Sequence, residues 1–172
     1  MSEQAPSFRA VSEQQPSLIV GLLRALRPQQ WTKNLLVVAA PLGAGVLGSA
    51  DGLASVAIAF VAFSLGAGAT YVLNDLRDLE RDRIHPRKRH GPFASGAVPV
   101  CVGVAWGLIV FAAAIGVSLL RPNLVWVLLG YVALTTAYSL WLKRPAVFER
   151  VAIAAGFAVR AGAGAVAADV PI

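Results

Sequence analysis

The 172-residue chain is poor in charged side chains, which make up 14% of it, against about 25% in an ordinary soluble domain. Acidic residues are especially scarce, with nine in the whole sequence. Hydrophobic residues account for 57%. This composition excludes an ordinary soluble domain and indicates a membrane protein.

Several common site chemistries also lack their sequence signatures. The single cysteine, Cys101, permits no disulfide within the chain and forms no metal site by itself. No Walker loop, zinc motif or nucleophile elbow occurs. The net charge of +6 does not indicate a nucleic-acid partner, because the basic residues cluster between apolar runs.

Long apolar runs dominate what is present and predict an all-α membrane protein. Residues 1–17 are polar and are predicted to form a disordered tail, followed by a transmembrane helical domain at 18–172. The first span is expected to enter the membrane tilted or kinked, because Pro28 and Pro41 interrupt it. The five predicted spans cover residues about 18–48, 53–74, 97–120, 124–142 and 147–168.

Basic residues between these spans predict the orientation in a plasma membrane. Those of the amino-terminal tail and entry segment, of residues 75–96 and of residues 143–150 fall on one side, and only Arg121 falls on the other. Cytoplasmic segments carry the excess of lysine and arginine. The amino terminus and the segment 75–96 are therefore predicted to be cytoplasmic.

The segment Tyr71 to Gly96 carries four of the nine acidic residues and six of the fifteen basic ones. If the chain is helical here, at about 100° per residue, one amide and three carboxylates share about a quarter of the helix circumference. These are Asn74, Asp75, Asp78 and Asp82. The same helical geometry directs the side chains of Arg77, Arg81 and Arg83 away from this acidic face.

A purely acidic helix face is electrostatically costly and favours a divalent cation such as Mg²⁺, which binds one or two carboxylates together with substrate phosphates. The following loop carries Lys88 and Arg89, and basic donors of this kind stabilise phosphates. The alternative interpretation is a solvated loop of mixed charge between two membrane helices.

Together these motifs resemble the UbiA superfamily of intramembrane prenyltransferases, from about residue 18 to the end. They are NDxxDxxxD from Asn74, HPRKR from His85, RPQQWTKN from Arg27, YSLWLK from Tyr138 and GFAVRAGAG from Gly156. Within the superfamily the sequence is most similar to the branch that transfers phosphoribosyl groups to decaprenyl phosphate. One departure is Gly91, where that branch usually has an arginine.

The resemblance implies Mg²⁺-dependent transfer of 5-phosphoribosyl from phosphoribosyl diphosphate to decaprenyl phosphate, with release of diphosphate. The lipid product would feed arabinan synthesis for the arabinogalactan of a cell wall. Two alternatives remain open at this point: prenyl transfer to an aromatic acceptor, which needs the same Mg²⁺-diphosphate face, and an inactive or non-catalytic membrane protein.

The candidate site residues follow from the acidic face, the resemblance and one buried charge. Arg160 lies within an apolar span, where a charge is costly and normally faces a cavity or a partner. The acidic triad Asp75, Asp78 and Asp82 is assigned the catalytic role and, with Asn74, the metal. The predicted substrate contacts are Lys33, Asn34, Tyr71, Lys88, Arg89, Tyr138, Lys143 and Arg160.

The resemblance also implies about nine helices around one cavity, whereas five spans are predicted here. The later acidic segment that the family carries is absent from these 172 residues. The sequence is therefore expected to resemble the first half of the fold and to be inactive alone. A homo-oligomer or a complementing carboxy-terminal half would complete the cavity.

Overall fold

The computed structural model describes residues 17–142 and 146–171, without the side chains of residues 141–153. Every regular element in these ranges is helical, so the all-α prediction is confirmed. Apart from Ser17, the predicted disordered tail lies outside the described residues. The α-helices are α1 (Leu18–Ala25), α2 (Ala39–Gly43), α3 (Ala50–Arg77), α4 (Leu79–Ile84), α5 (Val100–Ser118), α6 (Leu124–Ala137) and α7 (Ala146–Ala168).

The predicted entry span, residues 18–48, is divided into α1, a 3₁₀ segment (Pro28–Val38), α2 and a 3₁₀ turn (Val46–Gly48). Breaks occur where the backbone turns left-handed, at Arg27 (φ 51°) and Gly45 (φ 70°). A left-handed residue cannot continue a right-handed helix. The chain therefore changes direction twice before α3 begins.

The central helix α3 is the longest, with 28 residues. Ser49 caps its start, since its Oγ accepts a hydrogen bond from the Gly52 amide at 3.0 Å. Both α3 and the 19-residue α5 are long and apolar enough to cross a membrane, whereas Leu124–Leu140 and Ala154–Ala168 are shorter apolar helices.

Side-chain packing around α3 joins α5, α6 and α7 into one bundle. The Phe63 side chain of α3 is fully buried, as are Leu124 and Leu128 of α6. The rings of Phe63 and Tyr131 lie 5.3 Å apart. Large apolar side chains also face outward, among them Leu108 and Trp126. An apolar exterior over an apolar core is what hydrocarbon surroundings require.

Each end of α3 carries an ion pair between an aspartate and an arginine. At its start, Asp51 pairs with Arg121 at 2.7 Å. Near its end, Asp75 pairs with Arg27 at 2.6 Å. The second end also receives the 3₁₀ turn Lys88–His90 and the π-helical turn Tyr138–Leu142, which bring further polar groups to it.

Gly164 allows α7 to cross the 3₁₀ segment at backbone contact distance. A Cβ added at this glycine would lie 1.8 Å from the carbonyl oxygen of Val37. That carbonyl belongs to the backbone and cannot move aside as a flexible side chain would. The crossing matters for function because the same 3₁₀ segment carries Lys33 and Asn34.

We expect Gly164→Ala to destabilise the fold by at least about 1–3 kcal/mol, the usual cost of overpacking a filled core. The measurement is thermal unfolding in nanodiscs, followed by circular dichroism. Gly130→Ala is the matched control, because its added Cβ meets nothing within 4 Å and alanine favours helix. Equal melting temperatures for the two variants would contradict the close crossing.

Candidate functional site

Arg160 is a buried cation in α7, with 6% of its surface exposed. Its Nε donates to Asn34 Oδ1 at 2.7 Å, and its terminal nitrogens donate to the Gly156 carbonyl at 2.7 Å and the Tyr131 hydroxyl at 2.8 Å. Among the described residues, no carboxylate lies within ion-pair distance of it. Neutral acceptors therefore hold the guanidinium and leave its charge for an anion to compensate.

The groups around Arg160 also fix its orientation. Asn34 is 1% exposed, and its Nδ2 donates to Ser64 Oγ at 3.0 Å, so its Oδ1 faces the arginine. The guanidinium lies over the Tyr131 ring, 4.7 Å from its centre, in a cation–π contact. Acceptors among the described residues use three of the five guanidinium donors and leave two for a ligand.

A polar pocket of about 240 Å³ lies beside Arg160, between α3, α6 and α7. Five predicted site residues line it together: Lys33, Tyr71, Asn74, Tyr138 and Arg160. They come from four separate stretches of sequence. Asn34 does not line the pocket, but it accepts a hydrogen bond from Arg160 and so helps to position the guanidinium. With Tyr131, which also lines the pocket, the arrangement provides two cationic groups and three phenol groups around a space that can hold an anion.

A smaller acidic pocket, of about 20 Å³, lies near the end of α3. Asp75, Asp82, Lys88 and Gly91 line it, together with residues 92–94. The Lys88 ammonium pairs with Asp82 at 3.1 Å, and Arg27 pairs with Asp75 at 2.6 Å. Two of the three predicted catalytic carboxylates therefore meet at one pocket, beside a predicted phosphate-binding lysine.

Asp78 separates α3 from α4, although the backbone keeps its helical spacing across the junction. The Asp78 amide donates to the Asn74 carbonyl, and the Asp82 amide donates to the Asp78 carbonyl, both at 2.9 Å. The Asp78 side chain accepts hydrogen bonds from Arg77, at 3.2 and 3.0 Å. The prediction that Arg77 points away from the acidic face is therefore wrong.

Asn74 turns toward α6 as well as toward the polar pocket, since its Oδ1 accepts a hydrogen bond from Ser139 Oγ at 2.6 Å. Arg77 donates to the Ser139 carbonyl at 2.9 Å. Both bonds tie the end of α3 to the π-helical turn that carries Tyr138. In the part of the chain that the structure describes, no three His, Cys, Asp or Glu side chains form a group that could hold a metal ion.

Two further predicted substrate contacts are Arg89 and Lys143. Arg89 is exposed in the loop after α4, where its Nε donates to His90 Nε2 at 3.2 Å. Lys143 lies outside the described residues. The loop itself is shaped by His85, whose Nδ1 accepts hydrogen bonds from the amides of residues 87 and 88, both at 3.3 Å.

The profile of the UbiA prenyltransferase family matches residues 34–172, which include both pockets apart from Lys33. The chain belongs to the UbiA prenyltransferase family. Its members are integral membrane proteins, in agreement with the apolar exterior of the bundle. The matched region begins in the 3₁₀ segment and covers every described helix from α2 onward.

Three curated relatives are called decaprenyl-phosphate phosphoribosyltransferase. The one from Mycolicibacterium smegmatis is 45% identical over 91% of this chain and 51% of its own length. The one from Corynebacterium glutamicum is 44% identical over 91% and 48%, and the one from Mycobacterium tuberculosis 42% over 94% and 55%. The chain spans about half the length of these relatives.

The acidic pocket of this UbiA family member fits Mg²⁺ only in company with a phosphate ligand. Asp75 and Asp82 supply two carboxylates, and Mg²⁺ binds through one or two carboxylates, several waters and substrate phosphates. A cage built from protein alone would need more ligands than the described residues bring together. The donor set is therefore suited to a metal ion that arrives with a diphosphate.

We expect Gly91→Arg to tighten the binding of a diphosphate ligand about tenfold, the effect of one added charged hydrogen bond at the low end of its range. Gly91 lines the acidic pocket, and its backbone (φ −67°) accepts any side chain. An added Cβ would lie 3.0 Å from the Lys88 carbonyl, so a small shift is needed. Titration calorimetry would measure the affinity.

The control for this prediction is Gly91→Gln, which brings the same Cβ crowding without the charge. Equal affinities for the arginine and glutamine variants would contradict a role for charge at this position. A weaker affinity for the arginine variant alone would mean that its guanidinium pairs with Asp75 or Asp82 and competes with the metal.

Sequence reasoning missed three residues that the structure places at the site. Tyr131 lies in the middle of an apolar span and reads as a packing residue. Ser64 and Ser139 are single hydroxyls among apolar neighbours. Their common signal is a hydrogen-bonding side chain within a membrane helix, which is costly unless it is paired. This signal identifies residues that need a hydrogen-bond partner, but it does not predict which group the partner is.

Proposed function

We propose that this chain takes part in Mg²⁺-dependent transfer of the 5-phosphoribosyl group from phosphoribosyl diphosphate to decaprenyl phosphate. The observation that supports it best is the presence of two separate anion-binding regions near one end of α3. One is the polar pocket with Lys33 and Arg160. The other is the acidic pocket with Lys88. The names of the three relatives support the same substrates.

The donor substrate has an anionic group at each end, which matches one anion-binding pocket for each group. Phosphoribosyl diphosphate carries a phosphate on C5 of the ribose and a diphosphate on C1, on opposite sides of the sugar. In the proposal, Lys33 and Arg160 bind the 5-phosphate, and Tyr71 lies along the sugar. The diphosphate lies at the acidic pocket, with Lys88 donating to its oxygens. Holding both ends fixes C1 for attack.

In the reaction, the C1–oxygen bond to diphosphate breaks and a bond from C1 to a phosphate oxygen of the lipid forms. Bound at Asp75 and Asp82, Mg²⁺ supplies neutralisation of the leaving diphosphate. Lys88 adds a second positive charge at that end, where negative charge develops. Arg160 and its neutral acceptors keep the ribose in place while C1 gains positive character.

An apolar groove of about 230 Å³ supports a lipid acceptor. It lies between α3, α5 and α6, and Leu73, Leu108 and Phe111 are among its lining residues. Thr70 lines both this groove and the polar pocket, so the two cavities are neighbours. The polyprenyl chain would occupy the groove, from where its phosphate can approach the donor without leaving the membrane.

The orientation and the biological role belong to the same proposal. The basic residues around both pockets support a cytoplasmic location for this end of the bundle, where phosphoribosyl diphosphate would be available as a soluble donor. The lipid-linked product would then supply arabinan synthesis in a cell wall.

The test uses the chain in nanodiscs with labelled phosphoribosyl diphosphate, decaprenyl phosphate and Mg²⁺. It is run on the chain alone and on the chain co-expressed with the carboxy-terminal half of the Mycolicibacterium smegmatis relative. Lipid-linked phosphoribose formed only with the added half is the expected result. Product from the chain alone would instead favour an assembly of several copies.

A second candidate is transfer of a prenyl group from a prenyl diphosphate to an aromatic acceptor, which the family's description favours. A prenyl diphosphate is anionic at one end only, so in that reaction the anion at Arg160 would have to come from the aromatic acceptor. Parallel reactions with farnesyl diphosphate and 4-hydroxybenzoate separate the two. A prenylated aromatic product would reject the phosphoribosyl proposal, and no Mg²⁺-dependent product in either reaction would reject both.

A further inference from the structure

Arg27 has a backbone conformation that is rare for a residue with a side chain. It joins α1 to the 3₁₀ segment at φ 51° and ψ 60°. Pro28 follows, and the residue before a proline normally adopts an extended conformation. Such a left-handed residue costs free energy and persists only where its contacts over-determine it. One such contact is close by, since Trp31 Nε1 donates to the Leu26 carbonyl at 3.2 Å.

The Arg27 side chain lies between the two pockets. Its Nη2 donates to Asp75 Oδ1 at 2.6 Å, and its guanidinium lies 5.1 Å from the centre of the Tyr71 ring. Asp75 lines the acidic pocket, whereas Tyr71 lines the polar pocket. The side chain of Arg27 is 39% exposed and that of Asp75 17%. The pair is therefore accessible to a ligand without being fully solvated.

A divalent cation at Asp75 competes directly with this guanidinium. Both are cations that seek the same carboxylate, and a metal bound there would repel Arg27 at short range. The strained turn holds the arginine's backbone in place, so its side chain must find another acceptor nearby. Phosphate oxygens of a ligand in the pocket are suited to it, because a guanidinium binds phosphate through two parallel hydrogen bonds.

We propose that Arg27 is an internal counter-ion of Asp75 that makes divalent-cation binding conditional on an anionic ligand. In the free protein the arginine occupies the carboxylate and keeps metal affinity low. When a diphosphate enters with the metal, Arg27 transfers from the carboxylate to the phosphate oxygens. The two ligands then bind with positive coupling. This inference rests on the proposed function, which supplies the diphosphate.

The test compares Mn²⁺ alone with the preformed Mn²⁺–diphosphate complex, each titrated by calorimetry into the chain in phosphatidylcholine nanodiscs. In Arg27→Gln, the affinity for Mn²⁺ alone is expected to rise about two- to fivefold, because a partly exposed ion pair no longer competes. The affinity for the complex is expected to fall about tenfold, because a charged donor to the phosphates is lost. A rise in the first affinity together with a fall in the second is the result that the counter-ion role predicts.

Arg24→Gln is the matched control, since it removes the same charge from an exposed position one turn earlier in α1. Solvent and salt screen the charge of an exposed arginine, so its removal should change the affinity for either probe by less than about twofold. If both probes shift in the same direction in Arg27→Gln, or if Mn²⁺ alone binds no tighter than to the wild type, the counter-ion role is overturned.

A second variant covers the case in which Arg27→Gln does not fold, judged by circular dichroism. Arg27→Lys keeps the charge but has a single flexible donor group, so it should give the same opposite shifts at a smaller size. Absence of both shifts would overturn the inference. No binding of the complex to the wild type, either alone or with the co-expressed carboxy-terminal half, would overturn the proposed function with it, whereas binding without the sign reversal overturns the counter-ion role alone.

Discussion

Replacing Arg160 with glutamine is expected to weaken binding of phosphoribosyl diphosphate at least about 100-fold. The guanidinium has two donors left after it bonds to Asn34, Gly156 and Tyr131, and charged hydrogen bonds contribute about 1.5–3 kcal/mol each. Arg160 itself is buried, so water compensates little for their loss. Equilibrium binding of labelled donor to the chain in nanodiscs measures the effect.

The same substitution is expected to leave the fold intact or slightly more stable. Among the described residues, Arg160 has neutral acceptors and no carboxylate partner, so its charge has an uncompensated desolvation cost that the substitution relieves. Glutamine can still donate one hydrogen bond to Asn34. The expected pair of results, lost binding with an unchanged or raised melting temperature, separates a binding role from a structural one.

Arg121→Gln is the control for Arg160, because Arg121 lies at the other end of α3, where it pairs with Asp51. It should leave donor affinity unchanged. Arg160→Lys keeps the charge without the planar fork and should recover part of the binding. If Arg160→Gln bound the donor as tightly as the wild type, the polar pocket would not be the site of the 5-phosphate.

Asp75→Asn is expected to reduce Mn²⁺-dependent diphosphate binding by at least about 100-fold, and Asp82→Asn by a similar factor. Each removes one of the two carboxylates that line the acidic pocket, and an amide is a poor substitute for a charged ligand of a hard divalent cation. Calorimetric titration of the Mn²⁺–diphosphate complex measures the loss. A smaller effect is expected for Asp78→Asn, whose carboxylate accepts hydrogen bonds from Arg77.

The control is Asp51→Asn, a carboxylate at the distant end of α3 that is exposed and paired with Arg121. It should leave the titration unchanged. Retained binding in both Asp75→Asn and Asp82→Asn would show that the metal lies elsewhere. A larger loss for Asp78→Asn than for the other two would instead support the metal site that helical spacing alone predicts, in which Asp78 is a main ligand.

Local patterns in the sequence were sufficient for the class of fold and for the charged residues that line the two pockets. Apolar run length and the scarcity of charge predict membrane helices, because hydrocarbon tolerates few unpaired polar groups. The cost of a charge within an apolar span was enough to single out Arg160. Helical periodicity grouped Asp75 with Asp82, and the structure keeps that spacing across the break at Asp78.

Partners distant in sequence were decided only by the tertiary structure. Nothing local pairs Arg27 with Asp75 across 48 residues, or Arg160 with Asn34 across 126. These contacts depend on how the entry segment folds against α3 and α7, including the glycine crossing at Gly164. Periodicity describes one helix at a time, whereas Asn34 and Tyr131, which accept from Arg160, and the cation on Asp75 come from other elements. A single sequence therefore determines which groups need partners, and packing determines which partners they receive.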